Sequence, residues 1–310
     1  MRVLVLGGCG FIGSHVVDDL LLANHEVMVF DRYPERFRAP LPNVTYYQAD
    51  FGNRGELEEV LASGIEVVIH LVSSTTPQSS NEDPIFDVQT NLVETVALFE
   101  MCVKHRVRKV VFISSGGTVY GVPQITPVPE SHPTLPLCSY GITKLAIENY
   151  LHLYHVLHGL EYTVLRVSNP YGARQDPHRK QGAVAVFMHK ILKDESINVW
   201  GDGSVVRDFI HVSDVARACT AATESQFIGT CNVGSGHGLS IKQLISELQA
   251  ITGKTGNVVW QESRKFDVPE VVLDCSHIEK ELSWHPQVDL KHGLVDMQKW
   301  MNGLIISDSL

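Results

Sequence analysis

The run Gly7-Gly8-Cys9-Gly10-Phe11-Ile12-Gly13 restricts what this chain can fold into more than any other stretch. It contains G-x-G-x-x-G and follows the short apolar run Val3-Leu4-Val5-Leu6, which reads as a buried parallel strand. A helix is expected from about Phe11 to Leu22, so the glycines occupy a strand-to-helix turn. Glycine there permits a tight turn, close approach of backbone to a pyrophosphate, and close packing of helix on strand. The helix then points its first N–H groups and its positive dipole end at the phosphates. Gly7, Gly10, Phe11, Ile12 and Gly13 are accordingly candidate dinucleotide ligands. A second strand, Glu26 to Phe30, leads into Asp31, where a ribose 2′-hydroxyl would be held. A carboxylate there repels a 2′-phosphate, which favours NAD over NADP, although the adjacent Arg32 leaves NADP open.

The alternation continues along the first half. Strands are expected at Val44–Gln48, Val67–His70, Val110–Ser114 and Tyr162–Val167, and helices over Glu56–Ala62, Pro84–His105 and Leu137–His158. This rhythm predicts an α/β fold built on a doubly wound parallel sheet. Beyond Asn169 the loops lengthen. Helices near Gly182–Leu192, Ser213–Thr223, Ser240–Ile251 and Leu290–Met301 predict a smaller, mixed α/β C-terminal lobe, interleaved with the last strands of the sheet. The expected division is a dinucleotide-binding domain over 1–170 and a substrate lobe over 171–310. Asp50 follows the third strand and could accept from an adenine amino group with Phe51 beside the ring; a plain loop acid reads equally well. Leu71, Val72 and Ser73 end the fourth strand at the carboxyl edge, where cofactors lie in open sheets. Asn91, on the long helix, completes the cofactor set, while His70 reads as a packed histidine.

Composition narrows the partners. The net charge of −10 offers no basic face for nucleic acid. No later stretch approaches the roughly 18–20 apolar residues of a membrane span, and the apolar run before Cys9 is too short for a secretory core. The six cysteines include no C-x-x-C pair, so reduced thiols and a cytoplasmic location are expected. His152, His155 and His158 share three-residue spacing, but no cysteine or carboxylate cluster converges on them, and no metal site is expected.

Tyr140-Gly141-Ile142-Thr143-Lys144 is the second sharp feature. On a helix the phenol and the ammonium share a face at i and i+4, and the positive charge should favour the phenolate. Tyr140 can then act as a general base on a hydroxyl, with Lys144 beside it. A third hydroxyl should come from the end of the fifth strand, Ser114-Ser115-Gly116-Gly117-Thr118. Ser115 is the first candidate, with Ser114 and Thr118 as alternatives.

Taken together, the glycine run, Ser-Ser-x-x-x-Val-Tyr-Gly over 114–121, Tyr-x-x-x-Lys and Asn169-Pro170-Tyr171-Gly172 resemble the nucleotide-sugar epimerases and dehydratases. The UDP-glucose (UDP-galactose) 4-epimerase family, of the extended short-chain dehydrogenase/reductase type, is the best match, to about Asp274. The resemblance implies a Rossmann-like fold, NAD as cofactor, a UDP-sugar substrate, a 4-keto intermediate and a homodimer formed through two long helices. It also implies substrate contacts from Ser115, Asn169, Ala183, Trp200, Arg207, Phe209, Arg264 and Asp267. Two Arg forks suit a diphosphate. Val271 matches a position where bulk excludes N-acetyl sugars in this family; valine is intermediate in size, which leaves UDP-glucose/galactose first, the N-acetyl pair open and UDP-glucuronate a third option. The chain departs from the pattern at Gly116, where many of these epimerases carry serine. It also lacks the Asp-Glu pair that the similar dehydratases carry here, which argues for epimerisation. The competing readings are a reductase, decarboxylase or dehydratase of the same superfamily, and a non-catalytic NAD-binding protein, which would be expected to lack the Tyr/Lys pair.

Overall fold

The computed structural model describes residues 1–178, 182–262 and 268–307. Its first half runs β1 (Arg2–Leu6), α1 (Phe11–Leu22), β2 (Glu26–Asp31), β3 (Val44–Gln48), α2 (Arg54–Ala62), β4 (Val67–His70), α3 (Ser79–Glu82), α4 (Pro84–Asp87), α5 (Glu94–Lys104), β5 (Lys109–Ser115), α6 (Ser139–His158) and β6 (Glu161–Val167). The second half adds β7 (Asn169–Tyr171), α7 (Ala183–Leu192), β8 (Ser196–Trp200), β9 (Val206–His211), α8 (Val212–Glu224), β10 (Gly229–Val233), β11 (Gly238–Ser240), α9 (Ile241–Thr252), β12 (Asn257–Gln261), β13 (Glu270–Val271), α10 (Ser276–Leu282) and α11 (Leu290–Ser307).

Seven parallel strands form the main sheet in the order β10-β6-β5-β4-β1-β2-β3. Alternation along each strand feeds two cores. Val3 and Val5 join the core beneath α1 and α8, while Leu4 and Leu6 join the one beneath α2, α5 and α6. Each such side chain, fully buried, contributes on the order of 1.5–3 kcal/mol. Chain order reverses between β1 and β4, so a crevice opens at the carboxyl ends of those strands, where open α/β sheets bind ligands.

The chain beyond 170 divides its contribution. β8 pairs with β12, and β9 pairs with β7, β11 and β13, over a separate core that includes Met188, Leu244, Leu294 and Met297. β10 instead returns to the main sheet beside β6, and α8 packs on α1. The stretch 171–310 is thus shared between the lobe and the sheet.

The long helix expected over Pro84–His105 is not uniform. A π-helical turn at Val88–Val93 separates α4 from α5. Such turns cluster at functional sites, and this one packs against α6, which carries Tyr140 and Lys144.

Candidate active site

Two cavities meet at the glycine turn. One, of about 620 Å³, has Gly7, Gly10, Asp31, Arg32, Asp50, Phe51, Leu71, Val72 and Ser73 on its wall. Gly7 adopts φ +84°, and a Cβ at Gly13 would stand 2.1 Å from the Gly7 carbonyl oxygen and 2.7 Å from Gly8 Cα. The cradle therefore closes only because glycine fills it, as a pyrophosphate-binding turn requires. Gly13 serves helix packing rather than the cavity wall. The Asp31 carboxylate is held at the rim by the N–H groups of Cys9 and Tyr33, each at 3.0 Å. Asp50 reaches the wall while accepting from Gly52 N at 2.9 Å. Phe51 is mostly core, its ring 5.0 Å from that of His70.

Asn91 stands one layer behind that cavity wall. Its amide is buried and spent on protein: Oδ1 accepts from Ser74 N at 2.8 Å, and Nδ2 donates to Thr75 Oγ1 and to Asp87. It is absent from the cavity wall and supports the loop that forms it.

The second cavity, of about 610 Å³, is bordered by Phe11, Ile12, Ser115, Thr118, Tyr140, Asn169, Ala183, Trp200, Arg207 and Phe209. Residues expected from scattered motifs thus converge. Asn169 donates to the Asp208 carbonyl at 2.9 Å, and Arg207 donates to the carbonyls of Val206 and Val268. Arg264 and Asp267 lie outside the described residues. Val271 is 2% exposed within a cluster containing Val119, Tyr120 and Leu273, and it is not among the residues on the wall. Gln175 and Asn198 line the cavity without having been expected. Asn198 was within reach of sequence reasoning, because i and i+2 on a strand share a face and Trp200 was already named.

Tyr140 lies in the first turn of α6, its N–H held by Ser80 Oγ at 3.0 Å. Lys144 is buried behind it, Nζ 5.5 Å from the Tyr140 ring centre and 4.6 Å from that of Phe112, donating to the Ile113 carbonyl at 2.9 Å. Burial pulls Lys144 down to about 8, against the opposing pull of Asp87 and Glu148. The phenol, contrary to expectation, is pushed above its usual value, first by burial and then by Cys138 and Asp87. Proximity to one lysine does not outweigh desolvation in the protein alone.

The two serines at the end of β5 part by face. Ser114 points into the core, where it donates to Glu148 Oε1 at 2.5 Å. Ser115 points the other way, to the cavity. A Cβ at Gly116 would stand 2.5 Å from Leu273 Cδ1 and 3.1 Å from the Arg166 carbonyl, so a serine there would have to displace the end of the Leu273 side chain. Thr118 also borders the cavity, with its hydroxyl buried and unpartnered among the described residues.

His70 is a packed side chain, Nε2 2.8 Å from Thr95 Oγ1, with burial pulling its pKa down to about 3. His152 and His155 sit against Tyr162. Among the described residues no group of three His, Cys, Asp or Glu is placed to hold a metal, and no helix is long and apolar enough to cross a membrane.

A glycine turn that cradles a dinucleotide, opening onto a cavity that holds Tyr140 with Lys144 behind it, defines an NAD-dependent short-chain dehydrogenase type of protein. Residues 3–234 match the NAD dependent epimerase/dehydratase family, and the chain belongs to that family, with NAD as its cofactor. It is 37% identical over 302 residues to a putative UDP-glucose 4-epimerase of Methanocaldococcus jannaschii, covering 96% of this chain and 98% of the relative. The structure superposes with TM-score 0.94 on the Thermotoga maritima UDP-glucose 4-epimerase solved with UDP-glucose, at 35% identity over 98% of this chain and all of the other. It superposes with TM-score 0.91 on the UDP-N-acetylglucosamine 4-epimerase of Methanobrevibacter ruminantium, at 31% identity over 98% of each chain.

Proposed function

We propose that the chain interconverts the C4 epimers of a UDP-sugar, with UDP-glucose and UDP-galactose as the first pair. The observation that carries this reading is the placement of Tyr140 and Ser115 on one cavity wall beside Phe11 and Ile12, next to the dinucleotide cradle. NAD, when bound, accepts the C4 hydrogen with its electron pair and gives it back. Tyr140 takes the proton of the sugar 4-hydroxyl and later returns one to the 4-keto sugar. Ser115 donates to, and accepts from, the same oxygen. Arg207 and Asn169 hold the diphosphate side, and Trp200 offers a flat face to the nucleobase. The chain supplies no carboxyl side chain from Gly116 to Thr118, so the acid that elimination would need is missing there. The N-acetyl pair is the second reading, favoured by Val271, which puts no bulky side chain on the wall.

The test is to incubate the purified protein with UDP-glucose, UDP-N-acetylglucosamine and UDP-glucuronate in turn and follow the products by proton NMR. Interconversion at C4 without added NADH is expected. Release of a 4-keto-6-deoxy sugar would overturn the reading. Ser115→Ala should slow the productive reaction by roughly 10–10³-fold, in keeping with loss of one positioned hydroxyl. Thr118→Val should do less; the reverse ranking would move the hydroxyl role to Thr118.

We also propose a cytoplasmic homodimer. Ile85, Phe86, Val88 and Val93 on one helical segment and Ile142, Leu153, Val156 and Leu157 on α6 leave apolar side chains exposed on packed neighbours. Sedimentation should give twice the 34.4 kDa chain mass, and Val156→Glu should give the single-chain mass. A monomeric parent protein would overturn this.

A further inference from the structure

Asp87 ends α4 and enters the π-helical turn, and its side chain has no exposure to solvent. Oδ1 accepts from Thr75 Oγ1 at 2.5 Å and from Asn91 Nδ2 at 3.0 Å. Oδ2 accepts from Ser139 Oγ and Thr143 Oγ1, both at 2.8 Å. Both oxygens therefore serve only as acceptors, the arrangement a carboxylate uses. Burying such a group is costly unless it is fully hydrogen-bonded and opposed by charge.

The donors come from three segments that all border the reaction. Thr75 follows the loop Leu71–Ser74 on the cofactor wall. Asn91 holds that loop through Ser74 N. Ser139 and Thr143 flank Tyr140 in the first turn of α6, just before Lys144. Nothing in the mechanism above uses Asp87, and no motif marks it.

We propose that Asp87 is a positioning residue: its single buried carboxylate clamps the turn bearing Tyr140 and Lys144 to the cofactor wall, and through Ser139 and Thr143 it sets a negative charge against the residues next to that pair. This rests on Tyr140 being the base. The other groups that act on the pair are Glu148, also on α6 and already bonded to Arg166 of β6, Cys138 just before α6, and His70 of β4, which burial holds neutral. Asp87 pushes the Tyr140 phenol further up and opposes the fall of Lys144. Removing its charge while keeping its shape therefore moves both groups the same way, to lower pH.

Asp87→Asn is the direct test, because rotating hydroxyls can serve an amide in the same space. With NAD present, the difference in phenolate absorbance between the protein and its Tyr140→Phe form isolates one phenol of nine. In the Asp87→Asn background that titration midpoint should fall by roughly one pH unit, the scale of a removed neighbouring charge. Both limbs of the pH–rate profile should move to lower pH with it. A loss of stability or rate with midpoint and limbs unmoved would overturn the proposal and leave Asp87 a packing residue. Should Asp87→Asn fail to fold, Ser139→Ala with Thr143→Val removes two anchors and keeps the charge. That variant should lose kcat at least several-fold with KM and both limbs unchanged, and full kcat would overturn the clamp. The two ideas fail separately. An active Tyr140→Phe enzyme sinks the base assignment. An inactive one, beside an unshifted Asp87→Asn, sinks only the proposal for Asp87.

Discussion

Tyr140→Phe is expected to lower kcat by roughly 10²–10⁴-fold, the range a positioned general base contributes, while the protein keeps its fold and its NAD. The phenol oxygen makes no hydrogen bond among the described residues, and the residue is anchored by its backbone N–H to Ser80 Oγ instead. Removing a cavity-facing hydroxyl that has no partner among the described residues breaks no hydrogen bond within the protein, so the melting temperature should hold. KM should change little, because the residues proposed to grip the nucleotide lie elsewhere on the wall. Steady-state kinetics, cofactor content after acid extraction and a thermal melt check the three parts. A variant within tenfold of the parent rate would remove Tyr140 from the role.

The charge state of that phenol has a further consequence. In the chain alone burial holds Tyr140 protonated and pulls Lys144 to about 8. The lysine therefore does not generate a standing phenolate. Its charge helps only when something further offsets desolvation, which the cationic nicotinamide ring of bound NAD⁺ can do.

Local chemistry at fixed spacing was legible in the sequence. The glycine turn, Asp31 and the Tyr140/Lys144 pair each depend on neighbours within a turn or two, and the strands of the main sheet show as short apolar runs. What stayed hidden depends on contacts distant in sequence. Whether Ser114 or Ser115 faces the cavity is set by β5 register against Glu148 of α6. Gly116 looks like a missing catalytic hydroxyl until Leu273, from the far end of the chain, is seen filling its space. The bond from Ser74 N to the Asn91 amide oxygen joins the π-helical turn to the loop after β4, a contact no local spacing shows. Asp87 carries no motif, since its four donors come together only when α6 docks beside the π-helical turn. The lobe was the hardest part to read: β7, β11 and β13 have two or three residues each, too few to show a period.

The largest expected effect on stability lies one helical turn beyond Lys144. Glu148 and Arg166 are each 7% exposed, with Nη2 2.6 Å from Oε2 and Nε 3.2 Å from both carboxylate oxygens. Ser114 Oγ donates to the same carboxylate, Arg166 Nη1 donates to Tyr120 Oη at 3.0 Å, and Tyr120 Oη in turn donates to Asn232 Oδ1 at 2.7 Å. One network thus ties α6 to β5, β6 and β10. Arg166→Met leaves the Glu148 carboxylate buried without its cation, which should destabilise the fold by about 3–5 kcal/mol. Replacing both partners, Arg166→Met with Glu148→Leu, removes the charge along with its counter-charge and should recover most of that loss. Urea unfolding midpoints of the parent, the single and the double variant supply the comparison. The double variant should still turn over more slowly than the parent, because Ser114 then loses its partner on α6 and the helix carrying Tyr140 loses a directional anchor. If Arg166→Met costs less than about 1 kcal/mol, the pair behaves like a surface ion pair, and this network does not hold the helix carrying Tyr140 in place.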